Sequence, residues 1–179
     1  SDIENNAVKE SLQDHLLQQI GFLSKKVPEH IAEFLIYSLD RNGYLREKSI
    51  NEVIKFFPEY TEEQVEDFIR CMQQMEPTGV FARNLQECMV LQLQESESKY
   101  KTKCIQIVKN HIQLLADNKL PEISRLENST LEQITECVKI IRCLNPKPGA
   151  EYAADALYME CEVEILKENE NLTVKMLNN

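Results

Sequence analysis

Residues 75–93, MEPTGVFARNLQECMVLQL, constrain the fold more than any other stretch of the chain. Pro77 has no N–H, and its ring collides with the preceding helical turn. A helix reaching Met75 must therefore stop, and Glu76 is pushed towards an extended conformation. Gly79 tolerates backbone angles that a β-carbon forbids. Val80 and Phe81 anchor the turn. Asn84 then offers a side-chain oxygen to the free N–H groups of a new helix, with Glu87 three residues on. Leu85, Cys88, Met89 and Leu93 face inward along that helix. The stretch is a corner in a helical scaffold, so helices are expected on both sides of it.

Apolar residues recur at helical spacing throughout the part before the corner. Leu12, Leu16, Ile20 and Leu23 share one face of a helix over residues 11–23, opened by Ser11 with Asp14 and loosened at Gly21. A second helix starts with Pro28 in its first turn and carries Ile31, Phe34, Leu35 and Leu39. It ends in DRNG, residues 40–43, where Asn42 and Gly43 tolerate positive φ, and Tyr44 and Leu45 fold back as anchors. Ser49 with Glu52 predicts the cap of a helix bearing Ile50, Val53, Ile54 and Phe57, stopped by Pro58. Thr61 with Gln64 predicts the next, whose stripe is Val65, Phe68, Ile69, Met72 and Met75.

Beyond the corner, residues 95–103, ESESKYKTK, are polar and mark the expected boundary between two subdomains. Helical spacing resumes with Ile105, Val108, Ile112 and Leu115. Pro121 opens a short helix with Ile123 and Leu126. Ser129 and Glu132 are the expected cap of a helix with Leu131, Ile134, Val138 and Ile141, which ends in LNPKPG at residues 144–149. The tail changes period: apolar and acidic residues alternate in ECEVEIL and again in LTVKML, so residues 160–177 predict a β-hairpin. The expected fold is all-α: two small helical bundles over residues 8–95 and 101–149, then a linker and β-hairpin over 150–179.

A net charge of −10 argues against the chain gripping duplex nucleic acid by itself. None of the six cysteines lies in a CxxC pair, and His15, His30 and His111 have no ligand-spaced partner, so no metal site is expected. Cys71, Cys88 and Cys137 sit in apolar helical patterns, as free thiols do in a reducing cytoplasm. Phosphate-loop, dinucleotide, metalloprotease and serine-hydrolase signatures are missing, and four glycines leave no phosphate cradle. No cofactor or membrane span is expected, and the first eight residues do not form a secretion signal. The start at Ser1 and the end just after a strand-like run suggest a fragment of a longer protein. From the residues alone the expectation is a mostly helical cytoplasmic scaffold, which a helical protein–protein adaptor also fits.

The corner also carries a resemblance. PTGVFARNLQECMVLQL resembles the signature of bacterial sigma-54 factors, a Pro-x-Gly-Val-x-Ala-Arg turn leading into a helix with Glu-Cys and Leu-Gln-Leu. SLQDHLLQQI resembles the family's opening helix, AEFLIYSLDRNGYL its helix and Gly-Tyr-Leu turn, and CLNPKPGAEY its Leu-Asn-Pro-Lys-Pro-Gly exit. The four lie in the family's order and spacing across nearly the whole chain. The tail departs from the pattern: around Tyr158, Cys161, Glu162, Val163 and Leu172 the family's proline and tryptophan are replaced. The resemblance implies the all-helical, two-subdomain region by which sigma-54 factors bind core RNA polymerase. It implies that promoter DNA and the ATP-driven AAA+ activator are engaged through regions outside these residues, and that catalysis belongs to the polymerase. It makes Gly79, Arg83, Asn84, Glu87, Asn145 and Lys147 candidate polymerase-contact or motif residues. Arg83 stands out because a guanidinium at a helix start opposes the helix dipole and needs another partner, polymerase or a nearby glutamate.

Overall fold

Every helix leaves its first N–H groups without intrahelical partners, and side chains near the starts decide where each begins. The computed structural model describes residues 10–23 and 26–152. Among them α1 is Leu12–Leu17, begun by the Ser11 hydroxyl, which accepts from the Asp14 N–H at 3.0 Å. A 3-10 turn, Ile20–Phe22, follows at Gly21. Helix α2 is Glu29–Tyr37; Pro28 is its cap residue rather than part of its first turn. Helix α3 is Glu47–Phe56, and α4 is Glu62–Met72. Beyond the corner come α5, Leu85–Gln94, and α6, Lys101–Ala116. Then follow α7, Leu120–Leu126, and α8, Leu131–Arg142.

Two expected caps move. Ser49 does not open α3; it is buried within it, and Arg46 is the cap residue, without a side-chain cap bond. Leu45 is held by its N–H on the Ala82 carbonyl, which delivers the chain to a helical start two residues later, before Ser49 is reached. Likewise Thr130, not Ser129, caps α8, in a reciprocal box with Gln133 at 3.1 and 3.0 Å. Ser129 is taken by the preceding turn: its N–H bonds the Ser124 carbonyl and its hydroxyl donates to the Glu127 carbonyl. The Thr61–Gln64 box forms as expected, at 3.2 and 2.9 Å.

The helices make two units. The first contains the described residues up to Arg83 together with those from Lys147; the second is Asn84–Pro146. In the first, α2 packs on α1, α3 and α4 around Leu16, Ile31, Leu35, Val53, Val65, Ile69 and Met72, all fully buried. In the second, α6 packs on α5, α7 and α8 around Leu93, Ile107, Val108, Ile123, Ile134 and Cys137. The division therefore falls at the start of α5, not in residues 95–103. Helix α5 buries Leu85, Met89 and Leu93 in the second core. The polar run is only the exposed corner from α5 to α6, since polarity marks exposure to water and not the edge of a core.

The cysteines at 88, 104 and 137 are buried free thiols, while Cys143 is exposed. Burial, together with the neighbouring Cys137, pushes the Cys104 thiol up to about 12. No helix among the described residues is long and apolar enough to cross a membrane. The β-hairpin expected over residues 160–177 lies outside the described residues.

Gly79 is buried with φ of 103°, a conformation that a β-branched side chain resists. Gly79→Val is expected to cost the first unit about 1–3 kcal/mol, seen as a lower midpoint in thermal unfolding; an unchanged midpoint would contradict the assignment.

Candidate functional site: one turn that receives two exits

The segments that carry the sequence signatures meet in the first unit. The turn after α2 is built by Asp40. Its Oδ1 accepts from the Asn42 N–H at 2.8 Å and the Tyr44 N–H at 3.0 Å, while its own N–H donates to the Tyr44 carbonyl. This is the local bonding that favours Asp at the head of a turn. Gly43 closes the turn at φ of 92°. The carbonyls of Asn42 and Gly43 are thereby aimed away from the turn, each towards a different incoming segment. Gly43 accepts from the Phe81 N–H at 2.9 Å, which docks the PTGVF segment. Asn42 accepts from the Gly149 N–H at 2.9 Å, which docks PKPG.

Both docked segments need their glycines for different reasons. Gly79 supplies a positive φ. Gly149 supplies proximity: a Cβ there would sit 2.9 Å from the Arg41 carbonyl oxygen, 2.9 Å from the Asn42 carbonyl carbon and 2.8 Å from Leu12 Cδ2. Backbone cannot retreat as a side chain can, so any larger residue breaks this contact. Phe81 takes φ of 64°, unusual for a bulky side chain. Its ring is fully buried, its N–H is taken by Gly43, and its carbonyl accepts from Gln73 Nε2 at 3.1 Å. The fold therefore over-determines a conformation that the residue alone would avoid.

The six candidate residues do not form one site. Gly79, Arg83 and Lys147 belong to the first unit; Asn84, Glu87 and Asn145 belong to the second. Arg83 forms a forked pair with Glu66 on α4, Nη1 to Oε1 at 3.1 Å and Nη2 to Oε2. Glu66 is thus the nearby glutamate that the Arg83 guanidinium meets within the first unit. Asn84 caps α5, its Oδ1 accepting from the Glu87 N–H at 2.9 Å. The peptide N–H and C=O of Asn145 are both bonded by the Gln92 side chain.

Burial decides what the turn can do. Asp40 and Asn42 are buried, 7% and 6% exposed. Burial pushes the Asp40 carboxyl above its ordinary range, against the opposing pull of the Tyr44 and Asn42 N–H groups and Arg46. Elsewhere, His111 sits at a break in α6, with φ of −134°, and its Nε2 lies 2.9 Å from Glu127 Oε1. Lys103 Nζ donates to the Glu127 carbonyl at 3.3 Å, so this charged group closes α7 onto α6. Among the described residues no three His, Cys, Asp or Glu side chains are grouped to hold a metal. Large apolar side chains left in water include Phe56, 59% exposed, which lies edge-on to Phe34 at 6.2 Å.

Sequence reasoning placed the glycines and the Asn84 cap but missed Asp40, Gln19 and Gln92. An Asp two residues before Asn-Gly was the available signal for the first.

The family model described as "Sigma-54 factor, core binding domain" matches residues 2–179. The chain is 32% identical over 174 residues to the RNA polymerase sigma-54 factor of Pseudomonas aeruginosa (strain UCBPP-PA14), covering 93% of this chain and 35% of that protein. It is 30% identical over 174 residues to that of Azotobacter vinelandii, covering 93% and 34%. The match to that of Rhizobium etli is 34% over 145 residues, covering 80% and 27%. The chain thus spans about a third of the length of the curated relatives that it matches most fully.

Asp40→Ala removes the acceptor from two buried N–H groups and is expected to cost about 2–4 kcal/mol, measured by denaturant unfolding. Asp40→Asn keeps an Oδ1 acceptor and removes the charge. Because burial raises the folded-state pKa, the parent's Asp40 contribution is full below the ordinary carboxylate range and fades as pH rises through the raised value. The stability of Asp40→Asn relative to the parent should therefore grow as pH climbs above the ordinary carboxylate range. A pH-independent difference would refute the assignment.

Proposed function

We infer the function from the premise that the chain belongs to the sigma-54 factor family and spans its core-binding domain. The proposed activity is binding to core RNA polymerase, as part of a sigma-54 factor that directs polymerase to promoters. The observation that carries this reading is the match to the core-binding domain over residues 2–179, joined to the meeting of the signature segments on one turn.

The chain's role in that activity is to present a rigid, acidic, helical surface. Contact with promoter DNA and with the AAA+ activator is proposed to lie in other parts of the family's proteins, consistent with a net charge of −10 here. Bond-making chemistry is proposed to reside in the polymerase, which also sets the compartment, the cytoplasm. The residues of the buried turn serve binding by holding the surface in shape. Arg83, Asn84, Glu87, Asn145 and Lys147 are each at least partly exposed, and their proposed part is to shape the surface first and to touch polymerase second. Gly79 is buried and acts through the backbone alone.

The test is competition for core polymerase. The purified chain should bind core enzyme and displace an intact sigma-54 factor in a dose-dependent manner. Retention of intact factor at saturating chain, with the chain folded, would overturn the reading and favour a helical adaptor for other partners.

A further inference from the structure

We propose that the chain is a tandem duplication of one four-helix module, and that Gln19 and Gln92 are the same residue in its two copies, each clamping the peptide before the proline through which the chain leaves the module. The clamp is the observation that carries this furthest. Gln19 Oε1 accepts from the Glu76 N–H at 2.8 Å, and its Nε2 donates to the Glu76 carbonyl at 2.6 Å. In the second unit Gln92 Oε1 accepts from the Asn145 N–H at 2.8 Å, and its Nε2 donates to the Asn145 carbonyl at 2.6 Å. Pro77 follows Glu76, and Pro146 follows Asn145. A glutamine amide has the donor and acceptor of a peptide group, so it can pair both ends of one residue as a neighbouring strand would.

The flanking pattern repeats as well. Each clamp lies eight residues after the N-cap of its module's first helix, Ser11 or Asn84, whose side chain accepts from the N–H of Asp14 or Glu87. Each clamped peptide lies fifteen residues after the threonine of a reciprocal Thr–Gln capping box, Thr61–Gln64 or Thr130–Gln133. The sequences follow: SLQDHLLQQI against NLQECMVLQL, and TEEQVEDFIRCMQQMEP against TLEQITECVKIIRCLNP. Several of their buried positions coincide, with Leu12 and Leu85, Val65 and Ile134, Ile69 and Val138, and Met72 and Ile141 each at most 3% exposed.

Between these blocks the order of parts is also the same. The second helix, α2 or α6, gives way to a turn with one residue at positive φ, Gly43 at 92° or Asn118 at 56°. The third helix, α3 or α7, buries Val53 or Ile123 completely and ends on an exposed apolar residue, Phe56 or Leu126. Amphipathic helices and capping boxes are common one at a time. A glutamine clamp at the same spacing from two different motifs, holding the residue before a proline with the same bond lengths, is not produced by helical propensity, although only the Glu76–Pro77 bond is cis among the described residues. The copies have since diverged in their connections. The second helix runs nine residues in one copy and sixteen in the other, and only the first carries the DRNGYL turn.

The clamp has a mechanical purpose in both places. A helix that ends before proline leaves the N–H and C=O of the last residue beyond the helical ladder. Pairing both orients the two peptide groups on either side of that residue, and so the direction in which the proline sends the chain. Gln19 and Gln92 are thus positioning residues for the two exits.

Amide hydrogen exchange on the isotope-labelled full chain tests this residue by residue. The Glu76 and Asn145 amides should both be protected at least about tenfold over intrinsic rates. Gln19→Leu should release Glu76 and leave Asn145 protected, and Gln92→Leu should do the reverse. Gln19→Glu and Gln92→Glu, which keep the acceptor, should retain most of that protection and stand in if a leucine variant fails to fold. Common origin is tested by replacing residues 11–20 with the sequence NLQECMVLQL in the full chain. The graft places its own glutamine at position 19 and should fold with Glu76 still protected. Unprotected Glu76 or Asn145 in the parent, or a folded graft without Glu76 protection, would overturn the proposal.

Discussion

A helix that must end inside a protein exposes backbone groups that water cannot reach, and each needs a new partner. The structure depends on how that need is met at the turn after α2. Asp40 satisfies the inside of the turn with one carboxylate oxygen. The carbonyls of Asn42 and Gly43 are left to satisfy two other segments, PTGVF and PKPG, arriving from distant points in the sequence. Glycine recurs where they meet, for positive φ at Gly43 and Gly79 and for close backbone approach at Gly149, and the bulky Phe81 is accepted at positive φ because its ring is buried and its N–H and C=O are both bonded.

That arrangement explains why the signature residues are read so readily in sequence and yet do not form a pocket. They are fixed by hydrogen-bond geometry and close approach, which tolerate few substitutions; Gly79, Phe81 and Gly149 are buried, while Arg83, Asn84, Asn145 and Lys147 reach the surface. Arg83 illustrates the difference between a motif residue and a contact residue. Its charge is already answered by Glu66 in a partly exposed pair, an interaction worth at most about 1 kcal/mol when solvent screens it. A polymerase surface would therefore meet a side chain that is already held in place.

Much of the local architecture was legible from the residues. The Thr61 box, the Asn84 cap and the stops before Pro58 and Pro77 follow from chemistry that acts within a few residues, and periodicity located the buried faces. The failures came where long-range bonding outweighed local preference. Ser49 was an attractive cap until Leu45 was held by Ala82, and Ser129 until the turn after α7 claimed it. The polar run over residues 95–103 marked exposure and was taken for a boundary, because nothing local reveals that α5 buries its apolar side with α6. Asp40 was missed because its partners are backbone groups, which leave no mark in composition. The likeness between 11–20 and 84–93 was present in the letters. It was hidden because the connections between matching blocks differ in length, so no single period runs through the chain.

On the proposed function, the signature residues are architecture first, and polymerase is bound by the surface they hold in place. The most direct measurement is the affinity of Arg83→Ala and Lys147→Ala chains for core RNA polymerase, taken well below each variant's unfolding transition. The account predicts affinities within about threefold of the parent, a difference of about 0.7 kcal/mol. A loss of a hundredfold or more in a fully folded variant would contradict it and make the signature itself the contact.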